Sequence, residues 1–384
     1  MFEKDSKLLN RDKIENFCLE NETKPILFIG FHNDSGRGGQ LVFDRLYESL
    51  TYHRKTKIVG VISNSNSICR RFAIPFIHVL NRSLKNLKWK EGGIVILIST
   101  HLIDLLLAIL IKLFRRNVKI SAPFYHLIPA DIDRGDWKMV LLILSQQIRL
   151  KLSKWIIDLI TTENTYIKNI IKENTGKEAM VYSTGISQKF FPKLEDLPKP
   201  TERDIDLLYL GAIDKPKGII DFLKIAKGAL ERNKFLKIAI VGFDRNNFLY
   251  KYLEEVGLPI SENLLIHTNA SDQVKFGILS RSKLLVYTSY VDGIPIAFYE
   301  AMAYCVVVSA FFLETYIDLK NRFINIETRK TDEFVEKVVE ILTNYRQYYE
   351  LYSKENYEIA GAHLSEIVLK REVLNICQIL ISQK

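Results

Sequence analysis

Short runs of β-branched and aliphatic residues recur along the chain, separated by longer stretches in which apolar residues return every three or four positions. That alternation predicts an α/β protein. In the first half the strand expectations are Pro25 to Gly30, Lys57 to Ser63, Gly93 to Ser99, Val118 to Phe124, Asp158 to Thr162 and Ala179 to Ser183. Their near-continuous apolar character suits parallel strands covered by helices on both faces. The stretch FFPKLEDLPKPTER, Phe190 to Arg203, holds three prolines and mixed charge, which disfavours regular structure and predicts an interdomain linker. A second series then begins, with strands expected at Ile205 to Gly211, Leu236 to Gly242, Asn263 to His267, Lys283 to Ser289 and Cys305 to Ala310. From Thr331 onward the pattern is helical, with Val335, Val338, Val339 and Leu342 on one face. Two doubly wound sheets facing one another are expected, with a ligand cleft at the carboxyl ends of their strands. The expected division is residues 1–195, then 196–365, then a helix over 366–384 that packs back on the first domain.

Within this pattern, residues 138–160 stand out. Leu141, Leu144, Ile148, Leu152, Trp155 and Leu159 form one stripe at helical spacing, with Arg149, Lys151 and Lys154 beside it. The lower-energy use of such a stripe is packing on the first sheet; basic amphipathic helices also lie on anionic membranes.

Composition narrows the classes. The chain has 384 residues, 47% of them hydrophobic, and Gly plus Pro are few, so disordered and collagen-like classes are excluded. The run Leu105 to Ile111 is too short to cross a bilayer. The first residues are charged from the third position and lack an apolar core, so no secretory signal is expected and the chain is placed in the cytoplasm. Cys18, Cys69, Cys305 and Cys377 lie far apart and read as reduced thiols. The net charge of +9 is compatible with nucleic acid, an anionic membrane or phosphorylated small molecules. Nucleic acid is disfavoured, because there is no zinc pattern, aromatic RNA-binding strand or dense basic stretch.

The strongest local chemistry lies in SYVDGIPIAFYEAMAYCVVVSA, Ser289 to Ala310, which reads as strand end, turn, helix and strand. Asp292-Gly293 supplies the turn and Pro295 suits the first helical position. A helix beginning in a Gly-containing loop presents free N–H groups and a positive dipole end to an anion. Because Pro295 has no N–H, phosphate contacts would come from neighbours such as Ile296. Asp292 and Glu300 place two carboxylates beside that anion site, an arrangement suited to a polyol carrying a diphosphate.

Asp292, seven intervening residues and Glu300, followed by Ala301-Met302-Ala303, resemble the signature of the family 4 retaining glycosyltransferases of the GT-B fold. The chain departs from it where Asp292 replaces a first Glu, Cys305 a frequent Gly and Val307 a frequent Pro. LLYLGAIDKPKGIIDFLKIAK, Leu207 to Lys227, is similar to the strand, loop and helix that open the family's second domain: Gly211-Ala212 stands where Gly-Arg is usual, and Lys217-Gly218 matches the diphosphate-neutralising lysine. Ser183 to Ser187 and Phe191-Pro192 are similar to the turn that closes its first domain. Gly38-Gly39 match a Gly-Gly in the family's first loop, with Arg37 adding a charge, and His126 stands where a histidine faces the donor sugar.

The resemblance implies a nucleoside diphosphate sugar as donor, Glu300 on the ribose, Lys217, Gly293 and Ile296 at the diphosphate with Gly211 nearby, and Asp292 and His126 as the catalytic pair. It further implies an acceptor hydroxyl on a glycan, a lipid-linked molecule or a protein, entering near Gly39 and His126. No cofactor or metal is implied, and Asp131-Ile132-Asp133 is read as a solvated acidic loop. The alternatives are another GT-B nucleotide-sugar enzyme, such as an epimerase, and a degenerate, non-catalytic member of the fold.

Overall fold

The computed structural model describes the backbone of residues 26–32 and 57–62, parts of 80–127, residues 137–182, 185–244 and 247–364, and parts of 367–379. The chain divides into two compact units. One comprises Met1–Glu163, Ile167–Tyr182 and Glu366–Lys384, and the other Asn164–Tyr166 and Ser183–Ser365.

In the first unit β1 (Ile26–His32), β2 (Lys57–Ile62), β3 (Gly93–Leu97), β4 (Val118–Phe124), β5 (Leu159–Thr162) and β6 (Ala179–Val181) form a parallel sheet in the order β2-β1-β3-β4-β5-β6. Helices α1 (Leu102–Phe114), α2 (Trp137–Ile156) and α3 (Thr165–Thr175) make successive crossovers from β3 to β6. Because β3, β4, β5 and β6 advance in one direction, right-handed crossovers put these helices on one face of the sheet. α1 and α2 pack against each other.

The stripe on α2 does not pack on the sheet. Leu141 is 53% exposed, Leu144 53%, Ile148 48% and Trp155 78%, whereas Gln146, Leu150, Ser153 and Ile156 are buried. Gln146 and Ser153 give a narrow inward surface, and the Ser153 hydroxyl satisfies itself on the Arg149 carbonyl at 2.8 Å. The stripe's continuation, Leu159, is buried in β5.

The second unit holds β7 (Ile205–Ala212), β8 (Ile238–Phe243), β9 (Leu264–Thr268), β10 (Ser282–Tyr287), β11 (Val307–Phe311) and β12 (Ile324–Ile326), all parallel, in the order β12-β11-β10-β7-β8-β9. Its helices are α4 (Ile219–Arg232), α5 (Leu249–Val256), α6 (Asp272–Arg281), α7 (Ile296–Ala303), α8 (Thr331–Thr343) and α9 (Tyr345–Ala362). The period-2 pleat sorts the strand residues onto two cores. Leu207, Tyr209, Ile238, Ile240, Leu284 and Val286 join α4, α5 and α8. Their neighbours Leu208, Leu210, Ala239, Val241, Leu285 and Tyr287 join α6, α7 and Ala360 of α9. This double covering explains why the strands read as unbroken apolar runs. On α8 the buried face is Phe334, Val335, Val338 and Ile341, with Val339 and Leu342 at its margin.

The proline-rich stretch forms short 3-10 turns at Gln188–Phe190, Leu194–Asp196 and Pro200–Glu202, and it is fastened to the second unit. Phe190 stacks on Phe276 at 4.6 Å, and Phe191 packs on Tyr357 at 4.9 Å. The buried Arg203 guanidinium donates to the Ser282 and Tyr304 carbonyls, each at 2.7 Å. Prolines and charges alone suggest a free linker; the two aromatics and the arginine make it part of the domain instead.

Candidate functional site

In the second sheet the chain moves from β7 outward through β8 to β9, then crosses back to place β10 on the other side of β7. The crevice beyond the carboxyl ends of β7 and β10 is therefore a topological switch point, where ligands of open α/β sheets bind. Two loops meet there, residues 213–218 after β7 and residues 288–295 after β10.

The first loop is built around an aspartate and a glycine. Asp214 Oδ1 accepts the Lys217 N–H at 2.9 Å and so caps the 3-10 turn Lys215–Lys217. Gly218 follows in left-handed backbone at φ 72, and a Cβ there would lie 1.9 Å from the Thr288 carbonyl oxygen. Only glycine permits this approach. Thr288 Oγ1 in turn donates to the Gly218 carbonyl at 2.7 Å, and the Tyr290 N–H to the Pro216 carbonyl at 3.0 Å, so the loops are stitched to each other.

This stitching delivers Lys217 to Asp292. Lys217 Nζ donates to Asp292 Oδ2 at 2.7 Å and to the Val291 carbonyl at 3.2 Å. The buried Tyr287 hydroxyl donates to the same Oδ2, and Gly293 N–H to Oδ1 at 3.1 Å. Burial, followed by the Asp292 charge, pushes the Tyr287 hydroxyl far above its ordinary value, so it stays a proton donor. Gly211 ends the same crevice at β7, where Tyr209 donates its hydroxyl to the Ala212 carbonyl at 2.6 Å.

Helix α7 starts at Ile296, one residue later than the sequence suggests, with Pro295 in extended backbone as its N-cap. No side chain caps this end, which leaves the first amides, Ile296 among them, without a side-chain acceptor. Glu300, 8% exposed, accepts Lys275 Nζ at 2.8 Å, and Lys275 also reaches Asp272 at 3.1 Å. Burial lowers the Lys275 ammonium's pKa, but the Glu300 and Asp272 carboxylates outweigh it and hold the value above that of an ordinary lysine. Lys275 was not foreseen; it stands 25 residues from Glu300, and no local spacing signals the pair.

The far end of α7 explains one departure from the family pattern. Cys305 N–H donates to Met302 O at 3.1 Å and Val306 N–H to Ala301 O at 2.9 Å, the paired bonds of a Schellman motif. The residue between needs left-handed backbone, and Cys305 adopts it at φ 53. Its buried thiol has its pKa raised by desolvation and is an inert packing group.

The structure thus brings Lys217, Gly211, Asp292, Gly293, Ile296 and Glu300 to the loops and helix of one crevice edge. Arg37, Gly38, Gly39, His126, Asp131 and Asp133 lie outside the described residues. Among the described residues, no group of three His, Cys, Asp or Glu could hold a metal ion. No described helix is long and apolar enough to cross a membrane.

The model of the family described as glycosyl transferases group 1 matches residues 192–358. No curated protein matches the chain. Among solved structures, the sucrose-phosphate synthase of Thermosynechococcus elongatus is similar at a TM-score of 0.73 and 13% identity, over 94% of this chain and 100% of that one. Anabaena Alr3699/HepE, solved with UDP and glucose, is similar at 0.70 and 10% identity, over 92% and 99%. A mutant of TarM from S. aureus, solved with fondaparinux, alpha-GlcNAc-glycerol and UDP, is similar at 0.60 and 17% identity over 78% of this chain, which spans 58% of the TarM chain. At these identities the likeness is one of fold. Residues 192–358 therefore resemble the glycosyl transferases group 1, within a chain whose two parallel-sheet α/β units have the GT-B fold.

Proposed function

We propose that the chain transfers a sugar from a nucleoside diphosphate sugar to an acceptor hydroxyl with retention of anomeric configuration, as the family 4 pattern implies. The observation that carries this reading is the meeting of Lys217, Asp292 and the uncapped N-terminus of α7 at the switch point. The diphosphate lies against the Ile296 amide and Lys217 Nζ, where the helix dipole adds its positive end. Glu300, oriented by Lys275, receives the ribose hydroxyls. Asp292 addresses the sugar, and its two oxygens are fixed before the sugar arrives by Lys217, Tyr287 and Gly293.

Catalysis then rests on leaving-group departure. Negative charge grows on the diphosphate as the glycosidic bond breaks, and preorganised N–H groups and a lysine stabilise it without reorganisation. Lys215, exposed on the same loop, supplies a second cation where the usual arginine is Ala212. With the charge met by protein groups, transfer requires no metal. His126 is proposed for the donor-sugar role and Arg37, Gly38 and Gly39 for the acceptor or phosphate role, as the resemblance implies. A UDP-sugar is the donor to try first, since HepE and TarM were solved with UDP. A screen of nucleotide sugars for donor hydrolysis in chelator, with the released anomer read by NMR, tests the reading. Hydrolysis with inversion would overturn retention, and loss of turnover in chelator would overturn metal independence.

A further inference from the structure

The outward faces of α1 and α2 carry exposed apolar side chains that the donor-site reading does not use. On α1, Leu102 is 41% exposed, Leu106 49%, Leu113 67% and Phe114 49%. They lie at helical spacing on one side, while Leu105, Leu107, Ala108 and Ile111 face the core. On the adjoining α2, Leu141, Leu144, Ile148 and Trp155 point away from the buried Gln146, Leu150 and Ser153. The two helices share one face of the sheet and pack together, so the two stripes stand on neighbouring helices. Apolar area gathered this way on a protein surface marks an interaction site.

Charge selects the occupant. The α2 sequence holds Lys138, Arg149, Lys151 and Lys154 and no acidic residue, and the one acid on α1, Asp104, is buried. A second copy seated on this face about a two-fold axis would bring Lys151 and Lys154 against their own kind. An anionic bilayer opposes them with negative headgroups and accepts the leucines beneath. Lys154 Nζ lies 5.6 Å from the Trp155 ring centroid, which pairs an exposed tryptophan with a lysine, the two side chains suited to the headgroup boundary.

From this we infer that α1 and α2 form a docking face for an anionic lipid surface. Membrane contact therefore falls to the first unit, through helices that lie in the interface and do not span it. This inference stands apart from the donor site, because its residues belong to the first unit and the switch-point loops to the second.

The test is co-sedimentation of the full chain with vesicles of phosphatidylcholine alone and of phosphatidylcholine mixed with phosphatidylglycerol. The protein should pellet with the anionic vesicles at low salt, leave them as salt rises, and ignore the neutral ones. Leu144→Ser with Ile148→Ser, and separately Lys151→Glu with Lys154→Glu, should each weaken vesicle binding about tenfold or more. Both variants should keep the wild-type circular dichroism and UDP affinity, so failure here is distinguishable from failure of the donor reading. Absence of pelleting at low salt, pelleting unaffected by both variants, or a solution dimer that Leu144→Ser dissociates would overturn the inference, the last assigning the face to a second copy.

Discussion

Lys217 Nζ sits 2.7 Å from Asp292 Oδ2, so the lysine assigned to the donor diphosphate and the acid assigned to the donor sugar hold one another. The carboxylate positions the ammonium, yet it also competes with phosphate for it. Asp292→Asn keeps one oxygen for the Tyr287 hydroxyl and removes the charge together with the acceptor that takes the Gly293 N–H. UDP should bind this variant roughly fivefold more tightly, about 1 kcal/mol for a partly solvated pair, while sugar transfer slows. Weaker UDP binding by calorimetry would mean that positioning outweighs competition.

Gly218→Ala is the severest single change available in the loop. Its methyl would enter the Thr288 carbonyl at 1.9 Å in backbone already at φ 72, so either loop must move. A loss of at least about 2 kcal/mol in stability is expected, together with UDP affinity, since the same contact brings Lys217 to the crevice. Denaturant melts and UDP titration check both; wild-type values in the two would show that the loops are not stitched there.

Cys305 allows the left-handed cap to be separated from packing. Cys305→Ala and Cys305→Gly both remove the buried sulfur, and only glycine relieves the backbone at φ 53. The glycine variant should exceed the alanine variant by about 1 kcal/mol in urea unfolding. The reverse ranking would contradict the Schellman assignment at the end of α7.

Asp204 links the fold to pH. The Arg281 guanidinium meets both its oxygens, at 2.8 and 2.6 Å, and this bond, against some opposition from desolvation, lowers the carboxyl from 3.8 to about 2. A depressed carboxylate contributes stability above its unfolded value and loses it as pH falls toward its folded value. Both partners are well exposed, so solvent screening keeps the contribution under about 1 kcal/mol. Asp204→Asn should therefore be slightly less stable than wild type at pH 7, and the gap should close between pH 4 and pH 2. A gap that is constant with pH would remove the ion pair as its cause.

What was legible in the sequence, and what was not, follows from range. Apolar runs such as Val118 to Phe124 are doubly covered strands, and the strand appears at those residues. β12 escaped because Ile324-Asn325-Ile326 is three residues with an amide at its centre. Asp292, Glu300 and Lys217 stood out through local spacing. Their partners did not, because Lys217 meets Asp292 across 75 residues and Lys275 meets Glu300 across 25, contacts made by the order of strands. The period of the α2 stripe was plain from Leu141, Leu144 and Ile148, but a period does not say which side faces the sheet. Buried Gln146 and Ser153 show that α2 turns its richest apolar face outward.

The central claim, that the switch point of the second unit holds a nucleoside diphosphate, is tested most directly by titrating the full chain with UDP and GDP in a calorimeter. Saturable binding at one site is expected, weakened about tenfold or more by Lys217→Ala and by Glu300→Ala, as befits loss of a charged hydrogen bond at the phosphate or the ribose. Failure of every common nucleoside diphosphate to bind, or binding that both variants leave unchanged, would contradict it.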